Sequence, residues 1–260
     1  MGMLRKFVTA NRKLSFALTP KHVLQGNVFA QYERLCPLLM SFPDVKTVID
    51  VGAGKSWHFP QWCKEAYAVR LVGLDIDGAE MVGNASLDEA IECDVTQSIP
   101  VEPNSADLVT AYSGVEHFSD NHAFLKHAYQ ALRPGGALIA QFPNDLAPFA
   151  IINRLLPEKL KMRLLHALVP GSEGVLGFKI HYDRIRPSRF KTIAKDVGFE
   201  VEYYYPGYYS SGYFAAFTPI YMLSYLYDML RYALGISEIS SYSLFILRKP
   251  GPHVSLDFNR

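Results

Sequence analysis

The chain has 260 residues, is 49% hydrophobic and carries a formal net charge of +1, proportions that describe one α/β domain with a sizeable core and an appendage. Near-neutrality, and the lack of any basic stripe interleaved with stacking aromatics, argue against nucleic acid as a partner. Cys36, Cys63 and Cys93 are spaced without a metal-ligand or disulfide pattern, so they read as small buried residues of a protein in a reducing, cytoplasmic compartment.

In chain order, residues 1–32 contain Arg5, Lys6, Arg12, Lys13 and Lys21 but no acid before Glu33. This arm reads as a solvated helical cap, with a membrane-surface arm or targeting peptide as the alternative; it lacks the long apolar stretch of a secretory signal. Lys6 stands where a myristoylation signal needs Ser or Thr. Gln25 to Phe42 reads as a helix leading into the first strand, so residues 1–44 are expected to form an N-terminal helical cap.

Val48-Ile49-Asp50-Val51-Gly52-Ala53-Gly54 follows. An apolar run with one acid that ends in Gly-x-Gly is the pattern of a buried parallel strand stopping at a ligand crevice. Phe59 to Ala68 is expected to be the first crossover helix. Arg70 to Asp77 is a second apolar strand, and its acid, Asp75, lies roughly 20 residues past the glycines, where a ribose hydroxyl needs an acceptor. Trp57 occupies the third glycine position of a dinucleotide fingerprint, which speaks against a pyrophosphate. Gly78 to Glu89 reads as a short irregular helix; Glu92-Cys93-Asp94-Val95 then follows, and Asn104 to Tyr112 reads as the fourth strand. Asp120 to Leu132 has the one-sided apolar spacing of a helix with Asp120 as its cap. Pro134-Gly135-Gly136 stops that helix and turns into a fifth strand ending at Gln141 to Asn144.

Taken together, these motifs from Val45 to Asn144 resemble those of the class I S-adenosylmethionine-dependent methyltransferases. The resemblance implies a Rossmann-like, doubly wound α/β sheet of about seven strands, mostly parallel with an antiparallel last strand, plus helical cap insertions. It also implies S-adenosyl-L-methionine as cofactor. Asp50, Gly52 and Gly54 would cradle its methionine part, Asp75 and Ile76 its ribose side, and Asp94 and Val95 its adenine. Tyr112, Ser113 and Gly114 would lie under the sulfonium. Ser56 departs from the family's third glycine, and its small side chain is expected to be tolerated.

Beyond Asn144, residues 145–186 read as a helical insertion over the active site. Phe149 to Leu168 alternates apolar residues with Arg154, Lys159, Lys161 and Arg163. Residues 187–250 return to the core, with a helix at Pro187 to Val197 and strands at Gly198 to Tyr205 and Tyr242 to Leu247. An aromatic-rich lid at 206–238 interrupts them, and residues 251–260 form a tail. Pro206, Gly207, Gly212 and Pro219 make the lid a poor membrane span. A packed cap, an apolar substrate channel and a surface dipping into a lipid interface all stay open for it.

For the chemistry, an acceptor hydroxyl has to be held near the methyl group and relieved of its proton. His117, Glu116 and His181 are the candidate catalytic residues, with His117 first as base. A similar Glu-His pair in ubiquinone-pathway O-methyltransferases helps to bind a divalent metal, but their upstream Glu is Ser113 here, so no metal is assigned. The Glu116-His117-Phe118 string also resembles part of the bicarbonate site of cyclopropane synthases. His58, His122, His127 and His166 read as ordinary surface or cap residues. The expected function is methyl transfer to a hydroxyl of a small-molecule, glycan or lipid-linked acceptor, with peripheral membrane contact and oligomeric state left open. Carbon methylation of a lipid, or a catalytically silent cofactor-binding protein acting through its aromatic face, are the alternatives.

Overall fold

The computed structural model describes residues 2–157, 160 and 179–253. Lys159, Lys161, Arg163, His166, the later part of the expected 149–168 helices and most of the tail lie outside the described residues. Seven strands form one sheet in the order β3-β2-β1-β4-β5-β7-β6. They are β1 Thr47–Val51, β2 Arg70–Asp75, β3 Glu89–Glu92, β4 Ala106–Tyr112, β5 Leu132–Pro143, β6 Glu200–Gly207 and β7 Tyr242–Arg248. β7 runs antiparallel to both of its neighbours, while the pairs from β3 through β5 are parallel.

The central strands are apolar at nearly every position because both faces of the sheet are covered. On one face Ile49, Val72, Val109, Leu138 and Phe245 pack under helices α5 (Asn121–Ala131) and α7 (Pro187–Val197). On the other, Val48, Leu71, Leu108, Ile139 and Leu244 pack under α3 (Val28–Met40) and α4 (Gln61–Tyr67). With few polar groups on either face, Asp50 and Thr110 among them, the polar residues of the crevice collect at strand ends. The order reverses between β1 and β4, and a crevice opens there at the carboxyl edge of the sheet.

Local signals set the boundaries. Asn27 caps α3 by accepting from the Ala30 amide at 3.0 Å, and Asp120 caps α5 by accepting from the amides of His122 and Ala123. The third strand ends at Glu92, so Asp94 and Val95 lie in the turn that follows it. One expectation shifts. The fifth strand begins at Leu132, already paired with Ala106, and Pro134-Gly135-Gly136 is an irregularity within it. At Gly135 φ is +81°, and a Cβ would stand 2.0 Å from the Pro252 carbonyl oxygen, so only glycine fits where the chain end crosses back.

The N-terminal helices α1 (Gly2–Ala17) and α2 (Lys21–Gln25) precede α3, and α6 (Pro148–Leu155) follows β5. Between β6 and β7 the chain makes a 3₁₀ turn at Ser211–Phe214 and then α8 (Thr218–Leu234). A buried ion pair on α8 ties this excursion down. Asp228 accepts from the Ser210 and Ser211 amides at 2.7 and 2.8 Å and pairs with Arg231. Arg231 in turn donates to the carbonyls of Tyr208 and Ile239 and to the Ser241 hydroxyl. Among the described residues no helix is long and apolar enough to cross a membrane.

Asp228→Ala leaves the guanidinium of Arg231 buried without its counter-charge, a change that typically costs about 3–5 kcal/mol. Urea denaturation is expected to show a loss of this size, and a loss within experimental error of zero would refute the clamp.

Candidate active site

A cavity of about 560 Å³ occupies the crevice, lined by the turns that follow β1, β2, β3 and β4. Its floor is the glycine turn after β1. Gly52 and Gly54 both have positive φ, +73° and +50°, and a Cβ built at Gly52 would meet nothing within 4 Å. The backbone therefore borders open space. The Gly52 and Ala53 amides donate to the Leu74 carbonyl at 2.8 and 3.1 Å, and the Asn84 side chain donates to the Gly54 carbonyl at 3.0 Å. These bonds fix the turn from behind.

Asp75 ends β2 facing the cavity. One of its oxygens accepts from the Gly54 amide and the other from the Asp77 amide, each at 3.1 Å, so the carboxylate is aimed by backbone on both sides. Ile76, exposed, and Glu80 lie beside it on the wall. Asp94 and Val95 line the next stretch. Asp94 Oδ1 accepts from both the amide and the hydroxyl of Thr96 at 2.9 and 2.7 Å. Behind Val95, His127 Nδ1 sits 3.0 Å from the Val95 carbonyl; a carbonyl only accepts, so Nδ1 bears the proton.

Tyr112, Ser113 and Gly114 form the wall beyond β4. Ser113 holds φ at +54°, a conformation in which non-glycine residues are uncommon. It is secured by two bonds to Gln141: its amide donates to the carbonyl and its hydroxyl to Oε1, each at 2.9 Å. His58 stacks on the Tyr112 ring at 3.9 Å, and its burial pushes its pKa down.

A short 3₁₀ turn, Val115–His117, follows. The Glu116 carbonyl accepts from the amides of His181 and Tyr182 at 2.9 and 3.2 Å, and His117 Nδ1 lies 3.0 Å from the Lys179 carbonyl. By the same donor argument the His117 proton is on Nδ1, which makes Nε2 the basic nitrogen of the neutral ring. These contacts bring Lys179 and His181 beside the turn that carries His117, and all three line the cavity together with Asp75, Glu80 and Asp94.

Two expected site residues lie off the cavity. Asp50 is buried on the face covered by α3, where Thr110 donates to it at 2.6 Å; burial pushes its pKa up to about 6. Glu116 is also buried, with Oε2 unpartnered, within electrostatic reach of Tyr182, Tyr213 and Tyr242. Burial pushes its pKa up to about 7. Glu116 and His117 therefore do not converge on one point, and among the described residues no group of three or more His, Cys, Asp or Glu is placed to hold a metal.

Sequence reasoning missed several lining residues. Phe118 and Ser119 directly follow the Glu-His pair and were legible by position alone; Lys179 has no local pattern to announce it. Cys93 was expected to be buried, yet it is half-buried and lines the cavity, with burial pushing its thiol up to about 11.

Residues 24–204, well over half of the chain, match a family profile described as a methyltransferase domain. The chain is 31% identical over 166 residues to the ubiquinone biosynthesis O-methyltransferase of Paramagnetospirillum magneticum, a match spanning 60% of this chain and 59% of that protein. A solved S-adenosylmethionine dependent methyltransferase from Mesorhizobium loti superposes with a TM-score of 0.50 at 17% identity, over 82% of this chain and 96% of that one. Haemonchus contortus phosphoethanolamine N-methyltransferase 2, solved with S-adenosyl-L-methionine, superposes with a TM-score of 0.52 at 15% identity, over 84% of this chain and 52% of that one. At these identities the solved structures establish the fold, and the chain spans just over half the length of the O-methyltransferase and of the Haemonchus enzyme.

The raised pKa of Glu116 makes stability pH-dependent. Its native pKa, about 7, exceeds the ordinary 4.5, so its contribution is fully present below pH 4.5 and is lost as pH rises through 7. Glu116→Gln is expected to stabilise the protein at pH 8, by up to about 3 kcal/mol, and to leave it unchanged at pH 4.5. Equal effects at the two pH values in guanidinium titrations would rule out a buried carboxyl that ionises at a cost.

Proposed function

The chain belongs to the class I S-adenosylmethionine-dependent methyltransferases, and from that membership we propose that it moves a methyl group to a hydroxyl of a small-molecule, glycan or lipid-linked acceptor. The observation that supports this reading is the lining of the cavity at the carboxyl edge, where the strand-end carboxylates Asp75 and Asp94 border the same space as His117 and His181. The name of the bacterial O-methyltransferase relative supports a hydroxyl acceptor.

The residues present fit the cofactor. The open space over Gly52 admits a group against the backbone, and two carboxylates with backbone-fixed orientation supply acceptors for hydroxyl and amino donors. Gly52 and Gly54 would border its methionine part, Asp75 and Ile76 its ribose, and Asp94 and Val95 its adenine, with Tyr112, Ser113 and Gly114 beneath the sulfonium. Asp50 would act from behind the turn, through Thr110 and the β1–β4 seam. When bound, S-adenosylmethionine supplies an electrophilic methyl group with a good leaving group.

The protein's own task is then positioning and proton removal. His117 Nε2 is the basic atom at the acceptor end, its tautomer set by the Lys179 carbonyl. His181, brought beside it by the backbone bonds to Glu116, is the second candidate. Glu116 itself is a positioning residue: its main chain carries the loop, and its carboxyl lies off the cavity. A lipid-linked acceptor fits the open apolar groove of about 390 Å³ between α6 and α8, and membrane contact would follow from it.

Asp75→Ala is expected to abolish S-adenosylmethionine binding in calorimetric titration while circular dichroism stays unchanged; retained affinity would sink the ribose assignment. His117→Ala should lower turnover about 10²-fold or more with S-adenosylhomocysteine affinity intact. Undiminished turnover in that variant would remove His117 as the base.

A further inference from the structure

Among the described residues, helix α8 leaves one long apolar stripe exposed. Ile220, Leu223, Leu226, Tyr227, Leu230 and Leu234 recur at three- and four-residue spacing, and all are exposed, Leu223 and Leu230 at 69% and 57%. The opposite side of the helix is the buried one, with Tyr221, Asp228 and Arg231. Because Asp228 and Arg231 are its only charged residues and both are buried, the exposed side of α8 carries no charge at all.

Helix α1 carries a second stripe of the same kind. Met3, Phe7, Leu14 and Leu18 fall on one face and are exposed, Met3 at 88%. The helix docks on the start of α8 through a different face: Asn11 and Ser15 bond to Thr218, and Thr19 bonds to Tyr221. Phe7 stacks on Phe217 at 6.4 Å, and both rings remain exposed, so the two stripes meet there.

Charge decides what covers such a surface. From Gly2 to Tyr32 every formally charged side chain is a cation, and Arg5, Lys6, Lys13 and Lys21 are exposed. A second copy of the chain would bring the same cations to the seam. An anionic lipid surface matches both the apolar stripes and the flanking ammonium and guanidinium groups, which can reach past the stripe to headgroups. Tyr213, Tyr227 and Tyr232 are exposed on the lid as well, and tyrosine is favoured at the headgroup level. α6 and α8 both follow the carboxyl ends of their strands, the edge at which the cavity opens.

We propose that α1 and α8 together form an in-plane docking surface for anionic phospholipid bilayers. Ile220, Leu223 and Tyr227 of this surface also line the groove read above as fitting a lipid-linked acceptor; failure of the surface would leave methyl transfer to a soluble acceptor untouched.

The test is co-sedimentation of the full chain with phosphatidylcholine vesicles prepared with and without phosphatidylglycerol. Wild type is expected to bind the anionic vesicles more tightly, with affinity falling as salt rises. Replacing Lys6 and Lys13 by Glu should weaken that binding by about fivefold or more for each position. Replacing Leu223 and Leu230 by Glu should weaken it by about tenfold or more. Thermal melts confirm folding of each variant, and the lysine pair, on an exposed helix face, keeps the test valid if the leucine pair unfolds. Wild type remaining in the supernatant, or both folded variants sedimenting like wild type, would overturn the proposal. So would a dimer by light scattering that the leucine pair dissociates, since that would assign the face to a second copy.

Discussion

The structure depends on burying both faces of one sheet. Once Val48, Leu71 and Leu108 face one layer of helices and Ile49, Val72 and Val109 the other, a polar side chain that has to meet a ligand belongs at a strand end. Four successive strand ends therefore supply the acids, glycines and hydroxyl-bearing residues of the cavity. The reversal of order between β1 and β4 keeps those ends apart, so that the crevice is not filled by a crossover. Asp50 marks the tension in this arrangement. Its carboxylate is buried inside β1, and it stays there with its pKa raised and Thr110 as its direct donor.

Much of this was legible in the sequence because strand ends announce themselves. Gly52 and Gly54 need positive φ, and Asp75 closes an apolar run; both facts are local. Asp120 likewise precedes its helix in the way that a cap requires, whereas Asn27, the cap of α3, falls inside the helix expected from Gln25 to Phe42. What was not legible is where a side chain points once the chain leaves regular structure. Glu116 and His117 are neighbours, yet on a 3₁₀ turn neighbours project about a third of a turn apart, and only His117 reaches the cavity. Lys179 arrives from a distant loop, held by a backbone contact that no spacing rule encodes. Pro134-Gly135-Gly136 reads as a stop, but tertiary pairing with β4 starts β5 before it.

The lid combines two opposite treatments of one helix. Its inner side is fixed to the sheet by a buried ion pair with hydrogen-bond partners on both charges, an arrangement that confers geometry more than net stability. Its outer side is apolar and uncharged. Holding the base of α8 rigidly, with its outer stripe exposed among the described residues, keeps that stripe at a defined position relative to the cavity mouth.

The loop that brings His181 to the cavity is held by main-chain amides donating to the Glu116 carbonyl, and by Asp183 on the start of α5. Neither anchor uses the side chain at position 181. That position can therefore change its chemistry without releasing the loop, which makes it a place where acceptor preference could drift over evolutionary time while the scaffold and the strand-end carboxylates stay as they are.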